Sequence, residues 1–350
     1  MKKVNSCKPT GGIQLVVGPS VWMGMEMEAD ESWLHIFTLE QLEEIDLMLR
    51  KVEQEAAPLY EINRLDYPLT TLQSTFDSIE ADLERGRGFA LMRGLPLRRY
   101  TLAQTQIIYW ILGLNLGRAV SQNGLGELMG HVKVVDSVLE DPVKRGYMKP
   151  HHAPFHTDTC DIVGLMCLRK AKKGGESRIA SAMTVHNILL NERLDLLEVL
   201  YEPFFLDIKD EQQLGKAPYY QLPVFSWKDD QVSTRYSRSR VNTGQRHEAV
   251  PRLTDKQVEA MNYLETVLER PGVTLPMDFQ VGDIQWLNNY TIYHSRNAYI
   301  DYSAPSEKRH LLRLWLAGYS ARSLPPSFLD VYNGDLTQGL RGGIPRVVKK

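Results

Sequence analysis

The stretch FQVGDIQWLNNYTIYHSR (residues 279–296), followed by RHLLRLWL (residues 309–316), carries the pattern that decides the fold. Both segments contain short, apolar, β-rich runs separated by glycine and polar turns. Similar runs recur from about residue 126 onward, at residues 131–138, 161–168, 222–227 and 232–236. Many short strands between turn signals predict a sandwich or barrel with helices packed outside, and one predicted helix, at residues 184–201, interrupts the strands.

The first 125 residues are predicted to be mixed and mostly helical. Thr38 and Gln41 have capping-box spacing at the start of TLEQLEEIDLMLRKVEQE, in which apolar residues recur at helical period. Thr101 and Gln104 repeat this signature at the start of TLAQTQIIYWILGLNLG. That second segment therefore predicts a core helix, which we expect to end at a glycine.

Other parts of the chain complete the predicted organisation. Residues 72–84 predict a helix, and GFALMRGLP at residues 88–96 predicts a short buried strand. Residues 321–350 contain two adjacent prolines and GLRGG, which predict a loosely structured tail. Because no linker divides the chain, we expect a single domain over residues 1–350, helical or mixed to about residue 125 and with a β core at about residues 126–320.

Composition excludes several classes of protein. The 350 residues include 41 Lys or Arg against 43 Asp or Glu, so no global basic field attracts nucleic acid. Three cysteines without a CxxC pair argue against a disulfide scaffold or a zinc knuckle. No run approaches ~18 apolar residues, and MKKVNSCKPTGG lacks the apolar stretch of a secretory signal. We expect a soluble, cytoplasmic protein with no nucleic-acid or membrane partner, and the sequence leaves its oligomeric state open.

A histidine and an aspartate stand close together in HHAPFHTDTCDIVGL (residues 151–165). His156 and Asp158 are two positions apart, so an extended backbone places both side chains on one face. An imidazole and a carboxylate on one face can supply two adjacent ligands to a divalent metal, although HxD alone is a common pattern. His151 and His152 are expected to belong to a loop over the site.

The strand predicted at residues 309–316 has two different faces. Alternation places one set of side chains on a mostly apolar face that should pack against a neighbouring layer: His310, Leu312, Leu314 and Leu316. The other set is Arg309, Leu311, Arg313 and Trp315. A guanidinium beside such apolar residues needs an anionic partner, because it keeps its charge and loses hydration on burial. That partner is either an internal carboxylate or an anionic ligand.

Together these segments form a more specific pattern. His156, Asp158 and His294 make a 2-His-1-carboxylate set, which on non-haem Fe(II) leaves positions open for a chelating co-substrate and O₂. Arg309 follows His294 by fifteen residues and is expected to return on the adjacent antiparallel strand. There it would meet a carboxylate that projects from the metal.

The chain resembles the TauD/TfdA-type Fe(II)- and 2-oxoglutarate-dependent dioxygenases, and within them the clavaminate-synthase-like branch. Four motifs between residues 88 and 316 carry the resemblance: GFALMRGLP, FHTDTCDIVGLMCLRKAKKGGES, GDIQWLNNYTIYHSR and KRHLLRLWL. The resemblance implies a double-stranded β-helix, or jelly-roll, with flanking helices. It also implies Fe(II), 2-oxoglutarate and O₂ as the cofactor and co-substrates.

The same resemblance implies roles for individual residues. His156, Asp158 and His294 become the iron ligands. Arg309 becomes the ion-pair partner of the distal carboxylate of 2-oxoglutarate, and Ser177, at the end of GGES, matches a hydroxyl position that assists it.

Two further residues match substrate-side positions of the family. Arg313 matches a position that often holds an acidic group of the substrate or co-substrate. His131 matches a position that relatives often use on the substrate side, with a structural histidine as the alternative. Because Asp158 is present, where related halogenases carry a small residue, we expect hydroxylation, desaturation or oxidative cyclisation of a small carboxylate-bearing molecule, such as an amino acid or natural-product intermediate.

Two alternatives remain open at the level of sequence. A jelly-roll metalloenzyme could use the triad without 2-oxoglutarate, as in a ring-cleaving dioxygenase, and a metal- or ligand-binding protein could use it without turnover. The first alternative leaves Arg309 and GGES without a function, and the second would bind its ligand without O₂-dependent turnover. The arginines at positions 235, 238, 240 and 246 could attract an anionic substrate, although a solvated basic face is the commoner arrangement. Cys160 and Cys167 are interpreted as small core residues.

Overall fold

The computed structural model describes Lys8 and residues 12–134 and 150–347. The helices within these residues are Gly24–Ala29 (α1), Leu39–Glu55 (α2), Gln73–Arg85 (α3), Leu102–Leu114 (α4), Ala182–Glu192 (α5), Leu194–Leu200 (α6), Arg238–Gly244 (α7) and Asp255–Leu268 (α8). Short 3₁₀ turns occur at Leu59–Glu61, Leu97–Arg99 and Pro326–Phe328. In the described part of the chain, no helix is long and apolar enough to cross a membrane.

The strands of the described chain are mostly short. They are Leu34–Ile36 (β1), Phe89–Arg93 (β2), Gly117–Ala119 (β3), Met129–Val132 (β4), Ala153–His156 (β5), Ile162–Arg169 (β6), Lys173–Gly174 (β7), Ser177–Ser181 (β8), Phe204–Asp207 (β9), Tyr219–Leu222 (β10), Phe225–Lys228 (β11), Gln231–Thr234 (β12), Thr274–Met277 (β13), Ile284–Asn288 (β14), Ile292–Arg296 (β15), Tyr299–Ile300 (β16) and His310–Gly318 (β17). Residues 135–138 of the strand predicted at residues 131–138 lie outside the described residues.

Two sheets form the jelly-roll core, which confirms the predicted fold class. The larger sheet has the order β1-β2-β14-β6-β17-β3, and β4 also pairs with β17. The smaller sheet has the order β13-β8-β15-β5. The remaining strands form three two-stranded ribbons, β9 with β10, β11 with β12 and β7 with β16.

Apolar side chains from both sheets meet in the space between them. Phe89, Val163 and Trp315 of the larger sheet join Ile179 and Ile292 of the smaller sheet in one buried cluster. The opposite face of each sheet packs against helices, because α2, α3 and α4 share a core with the larger sheet and α5, α6 and α8 with the smaller one. The sandwich therefore has helices on both outer faces.

The two faces of β17 follow the predicted alternation. Leu312, Leu314 and Leu316 are fully buried in the cluster that contains α2, α3 and α4. Leu311 and Trp315 lie in the cluster between the sheets. Arginines predicted for that second face therefore point into the interior of the sandwich.

The structure confirms the two predicted capping boxes of the N-terminal helices. Thr38 and Thr101 each accept a hydrogen bond from the backbone N–H of the glutamine three residues later, and that glutamine side chain accepts from the cap backbone. The predicted helix at residues 72–84 corresponds to α3. Helix α4 differs from expectation at its end, where Asn115 rather than a glycine is the C-cap.

The β-rich half contains more helix than predicted. The single helix expected at residues 184–201 is divided at Arg193, where φ of −146° and ψ of 63° break the helical path between α5 and α6. Helices α7 and α8 were not predicted. A signal for α8 exists, because Thr254 and Gln257 have the same capping-box spacing as the N-terminal helices.

The position of Arg309 relative to His294 corrects one prediction. Strand β15 pairs with β5 and β8, whereas β17 pairs with β3, β4 and β6. The two strands are therefore not adjacent in one sheet, and they belong to opposite sheets of the sandwich. Arg309 and His294 therefore approach the interior from different sheets.

The C-terminal segment is packed rather than loose, so that prediction is wrong. Phe328 is fully buried, and Arg341 is buried in an ion pair with Asp161 at 2.8 Å. The backbone N–H of Gly343 donates to the carbonyl of Thr159 at 2.7 Å. Prolines and glycines shape this segment into turns, but its apolar and charged side chains still have buried partners.

We expect Phe328→Ala to lower the free energy of unfolding by about 3–5 kcal/mol, because it empties a buried aromatic site in the C-terminal segment. Leu329→Ala is the matched control, since the Leu329 side chain is exposed. Chemical denaturation of both variants measures the difference. Equal, small effects of the two substitutions would contradict the packed arrangement.

Candidate metal and co-substrate site

Three side chains converge where β5 and β15 run side by side. His156 is the last residue of β5 and pairs in register with His294 of β15, and their ring centroids are 4.3 Å apart. Asp158 lies in the turn after β5. Its carboxylate oxygens are 3.9 Å from His156 Nε2 and 3.8 Å from His294 Nε2. One ligand atom from each residue lies within 4.8 Å of the others, so the three could hold one metal ion.

The imidazoles are in the state that metal binding requires. Burial lowers the pKa of His156 and lowers that of His294 to about 3, so both rings are neutral near pH 7. His156 Nδ1 lies 2.8 Å from the carbonyl of Pro154 and donates to it. This hydrogen bond leaves Nε2 as the free ligand atom and fixes the orientation of the ring.

The Asp158 carboxylate is held from the opposite sheet. Trp315 Nε1 donates to Asp158 Oδ2 at 2.9 Å, and Arg313 Nη1 lies 3.5 Å from the same oxygen. Burial alone would raise the pKa of Asp158, but the guanidinium of Arg313 and the two histidines lower it below its usual value. The carboxylate is therefore ionised, and two neutral imidazoles and one anion form a donor set that fits Fe(II).

Arg309 lies at the entry to β17, on the same side of that strand as Arg313. Its side chain is buried, packs at 5.3 Å over the Tyr299 ring and donates from Nη2 to the carbonyl of Gly175 at 3.3 Å. Its Nη1 has no hydrogen-bond partner among the described residues. Burial lowers the pKa of Arg309, which reflects the cost of keeping this charge away from water.

Gly175 lies close against the Arg309 side chain. The glycine has a φ of +79°, and a Cβ placed there would lie 3.2 Å from Arg309 Nε. The GGES motif therefore brings its backbone close to the Arg309 side chain and also carries the Ser177 hydroxyl. Ser177, the first residue of β8, is buried and lines the same cavity as Arg309.

One cavity of about 320 Å³ joins these groups. Its lining includes six of the seven residues predicted for metal, co-substrate and substrate: His156, Asp158, Ser177, His294, Arg309 and Arg313. His152 also lines it, as expected for a loop residue over the site.

His131 lies outside this cavity. In strand β4 its neighbour Val132 faces the cavity, so alternation turns His131 to the other side of the larger sheet. There His131 Nδ1 lies 2.8 Å from His310 Nε2, and Arg169 contacts the other nitrogen of His310 at 3.2 Å. The arrangement matches the structural alternative for His131 and gives no support to a substrate contact.

Sequence reasoning missed two residues that orient the site. Gln122 accepts a hydrogen bond from Arg313 Nε at 2.7 Å and donates to the Arg313 carbonyl at 2.7 Å. Asn289 accepts from the backbone N–H of Asp158 at 2.9 Å. Neither residue carries a signal in one sequence, because each reaches its partner from a distant part of the chain.

Of the two interpretations of the arginine cluster, the solvated basic face does not describe Arg235. Its side chain is only 3% exposed and lines the cavity. Arg246, by contrast, is partly exposed and pairs with Asp207 and Asp210. Arg238 and Arg240 also line the cavity, so three of the four arginines lie at the site, whereas Arg246 forms an ordinary surface ion pair.

Comparison with known proteins places this geometry in a family. The family described as "Taurine catabolism dioxygenase TauD, TfdA family" matches residues 54–315, which is most of the chain. The chain belongs to this family. It is an oxidoreductase that uses Fe(II), 2-oxoglutarate and O₂. The predicted dioxygenase is therefore favoured over the two alternatives that the sequence left open, a metalloenzyme without 2-oxoglutarate and a binding protein without turnover.

Individual relatives agree with this family assignment. FR-33289 synthase of Streptomyces rubellomurinus is 32% identical over 320 residues, covering 89% of this chain and 93% of that protein. An asparagine oxygenase in complex with Fe(II), 2S,3S-3-hydroxyasparagine and succinate has a TM-score of 0.65 at 16% identity, covering 81% of this chain and 93% of the other. The non-heme iron oxygenase OrfP in complex with Fe and alpha-ketoglutaric acid has a TM-score of 0.60 at 15% identity, with the same coverage.

We expect Trp315→Phe to weaken Fe(II) binding about 10-fold, because it removes the hydrogen bond that orients the Asp158 carboxylate. Trp286→Phe is the matched control, since Trp286 is equally buried but its Nε1 has no hydrogen-bond partner among the described residues. Chelator competition measures both affinities. An equal loss in the two variants would show that packing, and not the hydrogen bond, governs metal affinity.

Proposed function

We propose that this dioxygenase oxidises an unactivated C–H bond of a small carboxylate-bearing molecule, an amino acid or a natural-product intermediate, with release of succinate and CO₂. In this proposal His156, Asp158 and His294 hold the iron. Arg309 and Ser177 hold 2-oxoglutarate, and Arg313 contacts an acidic group of the substrate. Bound Fe(II) supplies the activation of O₂ for C–H oxidation.

The observation that carries the proposal is that Arg309 is buried at the cavity with an N–H group that has no partner among the described residues. A buried guanidinium that faces a cavity, with an N–H group unpaired among the described residues, requires an anionic ligand to offset the cost of burial. The same cavity contains the triad of possible iron ligands. A ligand with a carboxylate at one end and a metal-chelating group at the other satisfies both requirements.

The chain's own residues have distinct roles in the proposed reaction. His156 keeps its Nε2 directed at the metal through the Pro154 carbonyl, and Trp315 keeps the Asp158 oxygen in place. Arg309 and Ser177 fix the distal end of 2-oxoglutarate, so the chelating end meets the iron in one orientation. The apolar lining, which includes Val163 and Leu311, limits water near the reacting carbon.

The charge of the cavity lining supports an acidic substrate. Among the described lining residues, Asp158 is the one carboxylate. The basic lining residues are Lys209, Arg235, Arg238, Arg240, Arg296, Arg309 and Arg313. Gln122 holds the Arg313 side chain from behind, which orients it toward the cavity and Asp158. The 3-hydroxyasparagine in the similar asparagine oxygenase is consistent with an amino-acid-like substrate.

The presence of Asp158 also bears on the type of reaction. A carboxylate in the third ligand position occupies a coordination site that a halide would otherwise need. We therefore propose hydroxylation, desaturation or oxidative cyclisation rather than halogenation.

Turnover assays test the proposed function directly. The iron-loaded protein in air, given 2-oxoglutarate and a panel of amino acids and other small acids, should release succinate in excess of the substrate-free rate for at least one acid. Mass spectrometry of that acid should show a gain of one oxygen or a loss of two hydrogens. Substrate oxidation that proceeds without 2-oxoglutarate would contradict the proposal.

We expect Arg309→Ala to weaken 2-oxoglutarate binding about 30- to 150-fold, since it removes charge-assisted hydrogen bonds of about 2–3 kcal/mol. Iron affinity should change little, because Arg309 does not contact the triad. Arg178→Ala is the control: Arg178 follows Ser177 in β8 but pairs with the surface residue Glu269 at 2.9 Å. Unchanged 2-oxoglutarate affinity in Arg309→Ala would leave Arg309 as a structural residue.

A further inference from the structure

Arg235 lines the cavity and holds the turn that carries Asp158. It directly follows strand β12 and is almost fully buried. Its Nη1 donates to both the carbonyl and the hydroxyl of Thr157, and its Nη2 donates to the Thr159 hydroxyl at 2.9 Å and to the Tyr220 hydroxyl at 3.3 Å. The guanidinium therefore bridges the residue before Asp158 and the residue after it.

The charge of Arg235 makes this contact unusual. Among the described residues no carboxylate lies within ion-pair distance of it, and the acceptors are a carbonyl and three hydroxyls. A neutral side chain would satisfy those acceptors at a lower cost of burial. A planar guanidinium, however, carries its donors on separate nitrogens and so reaches both flanking residues of the turn at once, whereas an amide or ammonium group donates from a single nitrogen.

Other contacts fix the rest of the same turn. The backbone N–H of Thr157 donates to the carbonyl of Tyr236 at 2.9 Å, and Asn289 accepts from the N–H of Asp158. Gly343 of the C-terminal segment donates to the Thr159 carbonyl. These contacts set the backbone, whereas Arg235 links the two flanking threonine side chains and closes the turn on the cavity side.

We propose that Arg235 is a positioning residue for the metal site. It clamps Thr157 and Thr159 so that the Asp158 carboxylate faces the two imidazoles. This inference rests on the proposed function, because it takes Asp158 as an iron ligand. The rival role is a direct contact with an anionic substrate, since Arg235 lines the cavity and its Nε has no hydrogen-bond partner among the described residues.

Iron binding without substrate separates these roles. We expect Arg235→Gln to raise the Fe(II) dissociation constant about 10- to 100-fold, as for other groups that orient metal ligands. It should also shift or weaken the visible charge-transfer band of the Fe(II)–2-oxoglutarate complex at saturating iron. Arg246→Gln removes the same charge from the same arginine cluster, but outside the cavity, and should change neither quantity.

The metal-free protein distinguishes positioning from a general loss of structure. A purely structural role would lower the unfolding temperature of metal-free Arg235→Gln without moving the band. If Arg235→Gln does not fold, Arg235→Lys keeps the charge but not the planar fork, and we expect it to show an intermediate loss of iron affinity. The proposal would be overturned if the variant that folds, Arg235→Gln or otherwise Arg235→Lys, keeps both the Fe(II) affinity and the charge-transfer band of the wild type.

A double-mutant cycle identifies the contact responsible. Thr159→Val removes one hydroxyl acceptor and should weaken iron binding in the wild-type background by several-fold. In the Arg235→Gln background the same change should have little further effect, because the clamp is already absent. Full additivity would overturn the proposed link. Wild-type protein that binds no iron would contradict the proposed function itself, which is a different outcome from any of these.

Discussion

The Asp158 carboxylate, whose side chain is only 11% exposed, is the group on which the rest of the site depends. It is the one anion among the described residues that line the cavity, and it lies within 4 Å of both His156 and His294. Its negative charge offsets that of Arg313, whose guanidinium would otherwise be buried beside two imidazoles. The same charge, held in place by Trp315, completes the donor set for a divalent metal.

The sandwich brings together groups that no single sheet could supply. His156, His294 and Ser177 belong to the smaller sheet, whereas Arg309 and Arg313 lie at or within β17 of the larger one. The cavity forms between these sheets, so a ligand inside it contacts both. In the proposed function, this arrangement suits a ligand with a chelating end at the triad and a distal carboxylate at Arg309.

Local patterns were sufficient for much of this arrangement. The alternation along residues 309–316 predicts which face of β17 carries Arg309 and Arg313, and capping boxes predict α2 and α4. Contacts across long sequence separations were not predictable. Gln122 reaches Arg313 over 191 residues, and Arg235 reaches Thr157 over 78. The packing of the C-terminal segment was unpredictable for the same reason, because its turn-forming composition gives no sign that Arg341 contacts the buried Asp161.

The expected position of Arg309 shows the same limit. Sequence spacing correctly brings Arg309 and His294 to one cavity, but it cannot say whether two strands pair or face each other across a core. Likewise, HxD spacing does not specify how the turn after β5 is held. Those features depend on strand pairing and on side chains far away in sequence, which one sequence does not encode as a readable pattern.

The most direct test of the site is a visible spectrum of the metal-free protein under anaerobic conditions, recorded after addition of Fe(II) and then of 2-oxoglutarate. If the triad and Arg309 hold iron and co-substrate in one cavity, a weak charge-transfer band should appear only when both are present. A protein that binds iron at the triad but shows no band with 2-oxoglutarate would contradict the assignment of Arg309 and of the cavity.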